Sequence, residues 1–170
     1  MQRPQPGEYG PAHEGYISLA TDPVLLQLRD QRRDVVDLFG GLSPDAAGYR
    51  YAPGKWSLRQ LLGHITDADR VFGFRAYCFS RGETAPLPSF DQDVYVDGGR
   101  YDARSMPGLV SEFLAVRQTL IEFFETLEPE AWMRAGTASN VRVSVRALAW
   151  IAAGHAEHHL RIVRERYRSA

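Results

Sequence analysis

Apolar residues in this chain recur at alternating steps of three and four, in four separate segments. That period lines one face of an α-helix and is incompatible with the two-residue repeat of a strand. In the first segment Leu25, Leu28, Val35, Phe39 and Leu42 follow Thr21-Asp22-Pro23, an N-cap with a proline where a helix tolerates one, and Gly40-Gly41 closes it. The second opens at Ser57 with Gln60 three residues on, as a capping box requires, and Leu61, His64, Ala68 and Val71 carry it to about Phe79. The third starts at Ser105 to Pro107 and reaches Leu127 on Leu109, Phe113, Val116, Leu120, Phe123 and Leu127. The fourth, capped by Ser144, runs to about Tyr167 on Val145, Leu148, Ala152, His155, His159 and Ile162.

Four helices with one narrow stripe each bury them most economically against one another. The predicted fold is therefore all-α, a four-helix bundle over residues 21–168 behind an N-terminal extension, 1–20. Ser43-Pro44 to Gly48 reads as one helical turn and Val141-Arg142-Val143 as a short extended piece. Residues 81–104, rich in Gly, Pro and Asp, predict a long loop between the second and third helices, of a size that suits a lid or wall.

At 170 residues the chain is long enough for one domain with an ordinary core and short for two. Twenty basic against 21 acidic side chains leave a net charge of −1, which supplies no electrostatic footprint for nucleic acid. Nineteen of the basic residues are arginine, and Lys55 is the single lysine. The N-terminal residues lack the apolar run of a secretory signal, and no stretch has the ~18 apolar residues of a membrane span. The expected location is the cytoplasm. The single cysteine, Cys78, can form neither an internal disulfide nor a thiolate cage, and its apolar neighbours suggest a small buried hydrophobe.

Two imidazoles interrupt the apolar seam of the fourth helix. His155 and His159 stand four residues apart, about 6 Å along the axis and about 40° around it, so both can converge on one cation. His64 interrupts the seam of the second helix in the same way, with Gly63 beside it and Ala152, Ala153, Gly154 and Ala156 near the pair. Those small residues leave room for close helix approach or for a cation with a water. A lone buried histidine is ordinarily a satisfied core residue. Three without partners would be costly, and three from two helices form a His₃ donor set with an open position. Zinc or nickel suits such ligands.

Other polar residues near the seam carry less. His155-Ala-Glu-His-His159 is not the His-Glu-x-x-His of metalloproteases, since Glu157 points about 200° away from His155. His158, about 60° to the other side, suits a surface position, a supporting contact or an alternative ligand. Asp67, one turn from His64, either orients the ring, serves as a general base, or pairs with Arg70 or Arg75 in solvent. It is the one weak catalytic candidate. His13 lies in the N-terminal extension and bears no argument.

The string Tyr51-Ala-Pro-Gly-Lys-Trp-Ser57, then Leu61-Leu-Gly-His64 and His155-Ala-Glu-His-His159, together resemble the DinB-like superfamily and its YfiT-like branch, over roughly residues 22–167. The resemblance implies an up-down-down-up four-helix bundle, a homodimer, and a divalent metal on His64, His155 and His159. It also implies a small-molecule substrate, with no nucleic acid or membrane partner. Three functions follow from it: an S-transferase joining a low-molecular-weight thiol of the bacillithiol, mycothiol or glutathione kind to an electrophile, a hydrolase using metal-activated water, or a bundle merely stapled by its metal as a stress-related binding protein. In the first, Arg100 or Arg104 would hold the thiol's carboxylates.

Overall fold

In a computed structural model of the chain, residues 2–167 are described. Each long helix starts where a side chain can satisfy its first amide groups. Ser57 caps α4 (Leu58–Ser80), Ser105 caps α6 (Met106–Glu125) and Ser144 caps α8 (Val145–Arg166), each accepting a bond from the third residue beyond it. At Ser57 the reciprocal bond from its backbone amide to Gln60 completes the capping box. The remaining long helix, α2 (Val24–Phe39), begins two residues later than expected: Pro23 is its N-cap, and Thr21 instead gives its amide to the Gln27 side chain.

Helices α2 and α4 each pack against both α6 and α8, which makes the four-helix bundle. Shorter pieces decorate it: α1 (Glu14–Leu19) lies on α8, α3 (Pro44–Gly48) joins α2 to α4, and α7 (Pro129–Met133) follows α6. Strands β1 (Ala135–Ala138) and β2 (Val141–Ser144) form an antiparallel hairpin whose two linking residues, Ser139 and Asn140, both have positive φ. Among the described residues no helix is long and apolar enough to cross a membrane.

Three further expectations about the loop and the helix faces need correction. The 81–104 loop contains α5 (Gln92–Gly99), capped by Asp91, and a 3₁₀ turn at Tyr101–Ala103, which few apolar residues announce. On α6 the buried face is rotated: Arg117, Ile121 and Phe124 are enclosed, while Val116, Phe123 and Leu127 are half-exposed. The cause is a buried polar network, in which Arg117 donates to both oxygens of Asp69 (2.7 and 3.1 Å) and to Gln31, whose own amide reaches the Ala153 carbonyl. Burial pushes the Asp69 carboxyl up, and the Arg117 guanidinium opposes this. The pair joins α6 to α4, since either partner alone would be an uncompensated buried charge, and Gln31 extends the network to α2 and α8. Finally, α8 has no narrow stripe over its first half: every residue from Val145 to Ala156 is buried.

Two apolar clusters fill the bundle. One gathers Trp150, Phe79 and Phe124 around the first half of α8, and the other gathers Leu62, Ile65, Phe113 and Leu160 towards its end. On α8 the first ends at Ala153 and the second resumes at Ala156, so His155 falls at their junction. Cys78 is half-buried at the edge of the first cluster rather than enclosed.

Candidate metal centre

The seams that carry the three histidines meet because α4 packs along α8. His64, His155 and His159 are all buried, at 2%, 5% and 8% exposure. Their Nε2 atoms converge: that of His155 lies 3.0 Å from His64 and 3.2 Å from His159. Two imidazole nitrogens bound to one tetrahedral zinc, at about 2.0–2.1 Å each, stand roughly 3.3 Å apart. Two of the three separations therefore match that spacing, and all three donor atoms lie within 4.8 Å of one another. These three form the group suited to a metal ion among the described residues.

Burial keeps all three rings neutral, as ligands must be. It pushes His64 down to about 4 and His159 to about 3, and holds His155 well below the ordinary histidine range, with neighbouring imidazoles adding to the effect.

Aromatic contacts position the rings. Trp56 lies against His64 at 4.7 Å between centroids, and Tyr16 and Phe72 meet His155 edge-on at 5.2 and 5.7 Å. His158 packs on His159 and on Tyr16, half-buried beside the cluster rather than inside it. The Nδ1 of His159 is buried with no partner among the described residues, so no carboxylate or carbonyl orients that ring. Asp67 forms no hydrogen bond with His64; its oxygens take the Tyr101 hydroxyl and Arg70. His13 ends a 3₁₀ turn and is not one of the converging imidazoles.

The small residues serve close approach rather than empty space. A Cβ on Gly154 would strike the Tyr16 carbonyl of α1, and one on Gly63 would strike the Tyr101 ring. Of the contributors to the centre, Trp56 had a signal in the sequence, the aromatic just before the Ser57 cap. Tyr16 and Phe72 had none, because their contacts to His155 cross 139 and 83 positions of chain only through folding.

A cavity of about 260 Å³ opens at His159. Its lining includes Tyr51, Lys55, Trp56 and Tyr167, together with Gln92 and Asp93 from the first turn of α5. The 81–104 segment thus supplies a wall of the site. Neither Arg100 nor Arg104 lines this cavity, and Arg104 is paired with Glu112. The arrangement can hold a cation on three neutral nitrogens and admit a small ligand beside it.

A model of the DinB superfamily matches residues 27–163. A comparison with curated proteins finds no match. Among solved structures, the chain is similar to YfiT from Bacillus subtilis, described as a probable metal-dependent hydrolase with an unusual four-helix bundle topology. The TM-score is 0.78 at 15% identity, over 87% of this chain and 86% of that one. It is also similar to the mycothiol-dependent maleylpyruvate isomerase, with a TM-score of 0.69 at 14% identity, over 85% of this chain and 61% of that one. At such identities the likeness is one of fold.

Proposed function

The chain belongs to the DinB superfamily, and from that premise we propose that it is a metal-dependent enzyme joining a low-molecular-weight thiol to an electrophile. The observation that carries the reading is the convergence of three buried, neutral Nε2 atoms beside a cavity that reaches His159. A divalent ion held by His64, His155 and His159, zinc or nickel, would supply a Lewis acid that lowers the pKa of a bound thiol. The chain's own part is to present the three lone pairs, to fix the rings with Trp56, Tyr16 and Phe72, and to keep water from the apolar side of the site. In the reaction the thiol's proton goes to solvent, the S–C bond forms, and the bond from that carbon to the leaving group breaks, the group departing with its electron pair.

A hydrolase is the second reading, favoured by the likeness to YfiT. Against it, Asp67, the carboxylate nearest His64 in sequence, is engaged by Tyr101 and Arg70 and unavailable as a base. The proposal extends to a homodimer in the cytoplasm, taking a small-molecule substrate.

Elemental mass spectrometry of untagged protein is expected to find about one divalent ion per chain, lost in His155→Ala. The loaded protein is then offered a chromogenic aryl chloride and a nitrophenyl ester, each with and without glutathione, cysteine or mycothiol. Turnover that requires the thiol supports transfer; ester cleavage at an equal rate without thiol replaces it with hydrolysis. Absence of metal after reconstitution would remove both.

A further inference from the structure

Several charged side chains of α4, α6 and the turns beside them are paired with each other. Arg50 is held by Asp102, and Arg70 and Arg104 share Glu112. Two are not. The Lys55 ammonium and the Asp93 carboxylate make no hydrogen bond or ion pair among the described residues, with each other or with any third group, although both line the cavity at His159. They come from different elements, the turn before α4 and the first turn of α5. The cavity thus carries one cation and one anion beside three aromatic rings.

Those rings are braced. The Tyr167 hydroxyl donates to the Trp56 carbonyl at 2.7 Å, and Tyr51 meets the Tyr167 ring edge-on at 5.0 Å between centroids. Such faces favour an alkylammonium passing over them and repel none of its carbon skeleton. The volume of about 260 Å³ is below the ~300–1,000 Å³ of sites for drug-sized ligands, which restricts the occupant to roughly amino-acid or dipeptide size.

We propose that this cavity binds a small zwitterion, an α-amino acid or a compound carrying one, with Lys55 taking its carboxylate and Asp93 its ammonium. The inference rests on the enzyme reading above and names the substrate class of that same site. A ligand bearing both charges pairs with both exposed side chains at once, whereas one with a single charge engages only one of them. The site therefore selects for the pair, and the side chain of the zwitterion extends towards His159.

The test needs no metal. Amide shifts of ¹⁵N-labelled full-length protein are titrated with S-methylcysteine, with 3-(methylthio)propionate, which has only the carboxylate, and with 2-(methylthio)ethylamine, which has only the ammonium. The zwitterion is expected to shift residues 54–56 and 92–94 and to bind about fivefold tighter than either single-charge analogue, the scale of one exposed ion pair. Lys55→Met should lower affinity for the zwitterion and the carboxylate and leave the amine unchanged. Asp93→Asn should do the reverse. Equal binding of all three probes, no shifts at either segment, or the same loss for every probe in both variants would overturn the proposal. Metal content of the same samples reports separately on the three histidines, so an empty centre with charge-selective binding intact refutes the enzyme reading alone.

Discussion

Each of the three histidines is held neutral by burial, and in the metal-free protein that has a thermodynamic consequence. A folded-state pKa below the unfolded value of about 6.5 means that the unfolded chain takes up the proton first. The contribution to stability is therefore complete above about pH 6.5 and is lost as pH falls towards the folded values, about 4 for His64 and about 3 for His159. Each ring adds up to about 1.4 kcal/mol per pH unit to that slope. Urea melts of metal-free protein between pH 7 and 4 should show it, and His155→Leu should make the slope shallower by one proton. An unchanged slope in the variant would mean that His155 titrates alike in both states. The identity of these residues was legible in the sequence, because imidazoles on an apolar seam violate its pattern. What holds them was not: Tyr16 and Phe72 reach His155 from other helices.

Helix α8 shows where local pattern stops being informative. Its start was legible, since Ser144 sits directly before the periodic run and accepts from Ala147. Its enclosure on every side was not, because the covering elements are α1 and the hairpin as well as the bundle. Gly154 marks the closest approach, where the α1 backbone at Tyr16 occupies the space of a side chain. Replacing it with alanine sets a helix-propensity gain of about 1 kcal/mol against an overpacking cost of typically 1–3 kcal/mol. Because the obstacle is backbone rather than a flexible side chain, the cost should win. Gly154→Ala is expected to lower the denaturation midpoint and to speed proteolysis within residues 2–20. A raised midpoint would show that α1 yields freely. On α6 the buried face departs from the apolar stripe for a related reason: an arginine reads as a solvent residue, and only Asp69 and Gln31 make Arg117 a core one.

At the scale of the molecule, α4 and α6 leave an apolar groove of about 370 Å³ away from the histidines, bordered by Gly73, Phe74, Tyr77, Val116 and Phe123. Phe74 and Tyr77 are 57% and 52% exposed there. The proposed homodimer would cover this face, so Phe74→Arg should shift sedimentation of the chain from dimer to monomer while the metal content is retained. A wild-type monomer at high concentration would dismiss the pairing. The sequence by itself determined the four long helices, three of their four caps and the metal-ligand candidates, because periodicity, capping and side-chain chemistry act over a few residues. Only the tertiary structure decided that α5 walls the cavity, that Lys55 and Asp93 share its mouth, that Arg117 lies in the core and that α1 backs His155. Each of those depends on groups far apart in the chain, whose burial and pairing are settled when the helices pack and not before.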